Sequence, residues 1–193
     1  MIKNIGLGIC GSFCTFDKIK IEIRRLVENG YNVIPILTNS VVDYDTRFGN
    51  ACDFIKEITE ITHNTPITDI VGAEPLGPKN LIDLMVVAPC TGNTLSKLAN
   101  GISDNAVTMV AKSLMRNFKP IVIAFSSNDG LGLNMKNLAT LMNSKNIYFV
   151  PFGQDDPTNK PKSLIADYSK LLDTIKEAEF GKQIQPVLLR EEN

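Results

Sequence analysis

Residues Val86 to Lys112 read VVAPCTGNTLSKLANGISDNAVTMVAK, and the reading of this stretch decides the fold. With Leu84 and Met85 in front of it, an apolar run reaches Ala88 and stops at Pro89, after which Cys90, Thr91, Gly92, Asn93 and Thr94 form a polar knot. A short apolar run bounded by turn residues predicts a buried parallel strand that opens into a loop. Beyond the knot, Leu95, Leu98 and Ala99 fall at helical spacing as far as Gly101, which suits the position just past a helix end where φ is positive. Ser103 and Asp104 offer N-caps for a second helix that carries Ala106, Val107, Val110, Ala111 and Leu114 along one side. One strand tip therefore feeds two helix starts. Ligands of open α/β sheets sit at the carboxyl ends of strands, where helix N-termini present unpaired N–H groups and the positive end of a dipole. The knot is the first candidate ligand contact.

Composition bounds the alternatives. The 193 residues suffice for one domain, 1–193, with a tail at 181–193. A domain of this size buries about 70% of its unfolded surface and needs neither metals nor disulfides. With 20 Lys and Arg against 21 Asp and Glu the formal charge is −1, and the lack of a basic block argues against a nucleic-acid partner. No apolar run reaches the roughly 18 residues of a spanning helix, which argues against a membrane role. The amino-terminal MIKNIGLGICG runs into strand and glycine turn without a signal pattern, so a cytoplasmic location is expected. Cys10, Cys14, Cys52 and Cys90 have neither redox-pair nor zinc spacing and read as small buried hydrophobes. His63, the one histidine, stands near the expected end of a helix, where a cation complements the dipole. Neither a histidine-based triad nor a metal centre is expected.

Upstream, Lys3 to Cys10 predicts a strand that runs into Gly11 and Ser12, and a helix follows with Thr15 or Asp17 as cap and Gly30 as terminator. A second strand, Val33 to Leu37, ends in Thr38, Asn39 and Ser40. A dinucleotide site needs an acid near that tip for the ribose 2′-hydroxyl, whereas small hydroxyl donors suit a monophosphate, so FMN fits better than NAD. Pro35 cannot donate to a ladder and places this strand at an edge or a bulge. Arg47 to Thr62 predicts an amphipathic helix, and Asn64 to Pro78, with AEPLGPK at its end, a constrained loop. Pro120 to Phe125 predicts a strand ending in Ser126, Ser127 and Asn128, followed by a helix over Asn134 to Asn143 and a last strand over Ile147 to Pro151. FGQDDPTNKPK reads as a polar loop, and Ser163 to Phe180 as a helix closed by Gly181.

Strands alternating with helices make a doubly wound parallel sheet. Four polar tips, Gly11/Ser12, Thr38/Ser40, Cys90 to Asn93 and Ser126 to Asn128, would line its carboxyl edge and favour a nucleotide-like ligand.

GICGSFCTFDK, the ILTNS tip and above all APCTGNTLSKLANGISDNAVT resemble the homo-oligomeric flavin-containing cysteine decarboxylases, a flavoprotein family, over Ile5 to about Asn143. The resemblance implies a Rossmann-like (flavodoxin-like) FMN-binding fold of three αβα layers, in a homotrimer or trimer-based assembly with the flavin between protomers. By position, Gly11, Ser12 and Ser40 would bind the FMN phosphate, and Ala88, Pro89, Cys90, Thr91 and Asn93 would lie against the isoalloxazine. Asp104 and Asn105 would help build the shared site, and Thr38, Ser126 and Asn128 complete the expected cofactor set.

Two departures matter. The family's catalytic histidine would fall at or next to Pro75, and of its PxMN motif only Asn128 is retained in Phe125 to Asn128, so cysteine-type decarboxylation is not expected and a decarboxylase-like or other FMN-dependent enzyme is kept only as an alternative. TRFG, AEPLGPK, SSNDGLGLN, KNIYFVPFGQDDP and GKQIQPVL resemble one member that works with a separate nicotinamide-linked partner protein on a small dicarboxylate. For such a substrate Arg47, Lys79 and Lys97, with Asn128, are the candidate contacts. The loop and tail outside the family pattern are expected to serve the partner, and a non-catalytic partner role is the rival reading.

Overall fold

The computed structural model describes residues 2–189. Strands β1 (Asn4–Ile9), β2 (Asn32–Leu37), β3 (Leu84–Cys90) and β4 (Ile121–Ser127) lie parallel in the order β2-β1-β3-β4, with β5 (Ile147–Phe149) parallel beside β4. On one face α1 (Phe16–Glu28) packs with α3 (Ala51–Thr62), which the short α2 (Asn39–Asp43) precedes. The other face carries α4 (Ile70–Ala73), α5 (Gly92–Ala99), α6 (Ala106–Arg116) and α7 (Met135–Met142). Covered on both faces, β3 is buried at every position, which is why its sequence is continuously apolar. The architecture is the expected mostly parallel sheet between helical layers.

Several elements differ from the expectation. The central strand does not stop at Pro89 but runs to Cys90, and its register against β4 shifts between Val87 and Cys90. The missing N–H of the proline thus falls at a bulge, where no ladder bond is required. Pro35 stands on the edge strand, as expected, and the outer side of that edge is bridged by Ile67, which accepts from Leu37 N at 2.8 Å and donates to Pro35 O at 2.9 Å. Arg47 to Asn50 lies outside the helix it was assigned to, because Thr46 and Gly49 close a tight turn on each other. His63 ends α3 in the left-handed region, at φ 56°. AEPLGPK is not a plain loop: Ala73 closes α4 and Glu74–Leu76 form a 3-10 turn, in which Pro75 needs no donor. Cys10 and Cys90 are buried, but Cys14 and Cys52 are exposed.

The largest difference is at the carboxyl end. In place of a helix starting at Ser163, the chain makes β7 (Leu164–Ala166), a 3-10 turn over Tyr168–Lys170 and then α8 (Leu171–Glu179), which packs on α1. Asp167 ends the strand and accepts from Ser169 N, capping the turn. β5 is not the last strand either, since β6 (Phe152–Gly153) follows. β7 lies antiparallel between β6 and the tip of β4, pairing Ser126 with Ile165 and Ser127 with Leu164. Past Gly181, whose φ of 73° closes α8, residues 182–189 pack on their own domain, and the rest of the expected tail, 190–193, lies outside the described residues. Gln183 donates to Phe149 O and accepts from Phe149 N, each at 2.7 Å, and Leu188 bridges Phe152.

The turn at Gly77 positions α6, whose first residues reach the candidate site. A β-carbon on Gly77 would stand 2.7 Å from Ser113 Cβ on α6 and 1.8 Å from its Oγ. Gly77→Ala should therefore destabilise the domain by about 1–3 kcal/mol through overpacking. Ser113→Ala should recover part of that loss by removing the nearer atom, a coupling that a double-mutant cycle in urea unfolding reads directly.

Candidate functional site

Backbone bonds hold the strand tips, and their side chains range from buried (Cys10, Thr38, Cys90, Ser126) to part-exposed (Ser12, Ser40, Thr91). At β1, Cys10 N donates to Pro89 O at 3.2 Å, and Ser12 N donates to Cys10 O at 2.8 Å, turning the chain into a 3-10 turn over Phe13–Thr15 and then α1. At β2, Thr38 N donates to Ile9 O at 3.1 Å and the Thr38 and Ser40 hydroxyls lie 3.0 Å apart. A β-carbon on Gly11 would stand 2.8 Å from Ser40 Oγ, so glycine lets these two tips close on each other. At β3, Thr91 caps α5 by accepting from Thr94 N at 3.3 Å. The cap of α6 is Asn105, not Ser103 or Asp104: Asn105 Oδ1 accepts from Thr108 N at 3.0 Å and Thr108 Oγ1 accepts from Asn105 N at 3.2 Å. Asp104 instead receives both of its short bonds from Lys97 Nζ, at 2.7 and 2.9 Å.

The tips enclose two adjoining clefts of about 520 and 610 Å³, sizes within the range of small-molecule sites. Gly11 and Thr91 line both. The first cleft adds Thr38, Ser40, Asn93, Asp104, Asn105 and the Lys97 side chain, with the amino ends of α5 and α6 turned toward it. The second adds Ser12, Arg47, Ser126 and Asn128. Sequence reasoning thus brought most of its candidates to one edge, but not all. Ala88, Pro89 and Cys90 are buried and line neither cleft. Lys79 lies in the turn after Pro75, just ahead of Asp83, which binds the start of β1, so it belongs to the amino end of the sheet and lines neither cleft. Lys97 is in the first cleft, but its charge is neutralised by Asp104.

Thr94, which belongs to the knot, also lines the first cleft, while lining residues further along the chain were missed. In the second cleft Lys160, Ser163 and Ile165 come from the antiparallel return, for which the sequence carried no strand signal of useful length. Phe13 and Phe48 add aromatic surface to that cleft, and the Arg47 guanidinium stands 4.8 Å above the Phe48 ring.

The electrostatics exclude an activated thiol at the two buried cysteines, Cys10 and Cys90. Burial pushes Cys10 up to about 11, partly offset by hydrogen bonds with Thr94 and Thr91, and burial together with the neighbouring Cys10 raises Cys90 well above its ordinary value. Both stay protonated at neutral pH and behave as packing groups. Tyr168 is pushed up to about 12 by burial while its hydroxyl holds Ser126 Oγ at 2.9 Å. Asp155 is held low, first by the Ser163 hydroxyl and, less strongly, by Lys160. The chemistry on offer is hydroxyl, amide and N–H donors at a dipole-rich edge, the donor set that suits a phosphorylated, ring-bearing ligand.

The chain belongs to the Flavoprotein family, whose model matches residues 1–179. It is 48% identical over 187 residues to the B subunit of dipicolinate synthase from Bacillus subtilis (strain 168), covering 97% of this chain and 94% of that one. A crystal structure of the dipicolinate synthase B subunit from Bacillus halodurans superposes with a TM-score of 0.90 at 47% identity, over 98% of this chain and 97% of that one. The FMN binding protein AtHal3 shares the fold at a TM-score of 0.66 and 19% identity, over 91% of this chain and 96% of that one.

The Lys97–Asp104 pair predicts a pH response. The Lys97 ammonium holds the Asp104 carboxyl below its ordinary value, so the pair's contribution to stability is complete above the usual aspartate pKa of about 3.9 and is lost as pH falls through the lower folded value. Carboxyl NMR titration should place Asp104 below ordinary aspartates, and Lys97→Ala should move it back up. A midpoint indifferent to that substitution would mean the pair does not form in solution.

Proposed function

We propose that this chain is the flavin-binding B subunit of a dipicolinate synthase. With the separate A subunit of that synthase it would convert a dihydrodipicolinate-type precursor into dipicolinate, pyridine-2,6-dicarboxylate, in the cytoplasm of the mother cell of a sporulating bacterium. The observation that carries this reading is the 48% identity to the B subunit of a dipicolinate synthase, sustained over 97% of the chain. The cofactor we assign is FMN, in a homotrimer or trimer-based assembly. Aromatising a dihydropyridine releases two electrons and two protons, and a bound flavin supplies the electron acceptor.

The residues of the chain do the holding. We assign the phosphate of FMN to the first cleft, where Ser40, Thr38 and the opening N–H groups of α5 offer donors beside the Gly11 backbone. Thr91, at the junction of the clefts, would steady the ring end. The absence of an acid at the β2 tip, where Thr38, Asn39 and Ser40 stand, supports a monophosphate over NAD and leaves the nicotinamide chemistry to the partner protein. Decarboxylation of a cysteine substrate is disfavoured, because Pro75, which has no titratable side chain, stands in the 3-10 turn where the family's base would fall.

The test is reconstitution. The two purified proteins mixed with FMN should form dipicolinate, and omission of FMN from stripped protein should abolish it. Dipicolinate formation unaffected by the flavin would leave the chain a non-catalytic partner. Ser40→Ala should weaken flavin retention by the worth of one charge-assisted hydrogen bond, about 1.5–3 kcal/mol, in a fluorescence titration.

A further inference from the structure

The two clefts differ in the state of their cations. Lys97, in the first, is held by Asp104 at 2.7 Å. Arg47, in the second, forms no ion pair among the described residues and lies over the Phe48 ring at 4.8 Å. Lys160, which lines the same cleft, is 53% exposed at its side chain and touches Asp155 at a looser 3.4 Å. Asp155 also takes the Ser163 hydroxyl, and an ammonium has three donors, so Lys160 retains capacity for a second anion. The cleft's other acid, Asp129, accepts from the neutral Asn134 amide at 3.3 Å and keeps its charge, so the cleft's two cations and two carboxylates balance formally and what distinguishes it is the unpaired guanidinium of Arg47.

We infer that the second cleft is the dicarboxylate site, with Arg47 and Lys160 each taking one carboxylate of a flat six-membered ring. This rests on the proposed function and assigns the substrate to a place in it. The two cations come from separate segments, the turn after α2 and the loop before β7, and they line one cavity of about 610 Å³. Cations on two separate segments match two separate carboxylates, each able to take its own charge-assisted contact. Asn128 lines the same cleft, and its exposed amide N–H group has no partner among the described residues and is open to a carboxylate. The cleft joins the first along Gly11 and Thr91, so a ring held between Arg47 and Lys160 would lie next to whatever the first cleft binds.

Calorimetry on the flavin-loaded chain with dipicolinate, and with picolinate as the one-carboxylate control, tests the site. Dipicolinate should bind, and Arg47→Gln and Lys160→Gln should each weaken it about tenfold or more, as expected for loss of a charge-assisted contact, while flavin absorbance is retained. Arg47→Lys should keep part of the affinity. Picolinate should bind more weakly and respond strongly to only one of the two glutamine variants. In the reconstituted reaction the same variants should raise KM more than they lower kcat. If the wild-type proteins make dipicolinate yet both glutamine variants match wild type in binding and KM, the site assignment is overturned and the function stands. If dipicolinate binds in an Arg47- and Lys160-dependent way but the mixture forms none, the site stands and the reaction assigned to the protein fails.

Discussion

One backbone hydrogen bond sets the geometry on which both clefts depend. The regular ladder between β1 and β3 ends at Gly8 and Val87, yet Cys10 N still reaches Pro89 O at 3.2 Å. A proline inside a buried central strand removes a ladder donor, and the register shift between Val87 and Cys90 absorbs that loss on the β4 side. On the β1 side the proline's carbonyl is still an acceptor, and leaving it or the Cys10 N–H unpaired inside the domain would cost about 1–3 kcal/mol. The bond therefore ties two strand tips together beyond their sheet. Its consequence is that Gly11 and Thr91 stand side by side and form the border of both clefts.

Most of this edge was legible in the sequence, and the reason is chemical. Strands buried on two faces advertise themselves as apolar runs, and helix starts advertise themselves by hydroxyl and amide caps, so β1 to β4, α5 and α6 could be read from residue order. Positions that depend on distant partners could not. Asp104 has the composition of a cap, and only the fold reveals that Lys97, seven residues away, occupies it while Asn105 does the capping. Lys79 is close in sequence to the knot, but a strand about 20 Å long separates the amino end of a sheet from its carboxyl end. Ala88 to Cys90 carry the right family pattern and yet are buried under the clefts, where their part is to shape the tip.

The antiparallel return escaped the sequence reading for a different reason. Leu164, Ile165 and Ala166 make a run too short to separate strand from helix, and Tyr168, Leu171, Leu172 and Ile175 continue it at helical spacing. What decides the outcome is β4. Its first part pairs with β5 at Ile121 to Ile123, but its tip extends further and offers unpaired backbone at Ser126 and Ser127. β7 fills that edge, and β6 and the tail extend the covering to the next one, with Gln183 imitating a strand against Phe149. Residues 182–189 thereby act as part of their own domain, and of FGQDDPTNKPK it is the part after β6, Gln154 to Lys162, that remains largely exposed beside the site.

The same return explains why one sheet edge carries two clefts with different chemistry. A doubly wound sheet alone would present the tips of β1, β2 and β3 with helix N-termini behind them, a surface of N–H groups and hydroxyls suited to a phosphate. Laying β7 against the tip of β4 raises a second wall, brings Lys160 and Ser163 into the cavity that Arg47 also lines, and so adds a second cleft to the edge. The first cleft is electrically closed, since its one lysine and one aspartate neutralise each other. The second keeps a guanidinium that no carboxylate among the described residues engages. Charge that the fold leaves uncompensated at a cavity wall persists only because water solvates it, and an anion that displaces that water regains the interaction at lower dielectric. The division between a donor-rich cleft whose one lysine is paired and a cleft that keeps an unpaired guanidinium is thus a property of topology: it follows from where the last strand pairs rather than from any motif in the knot.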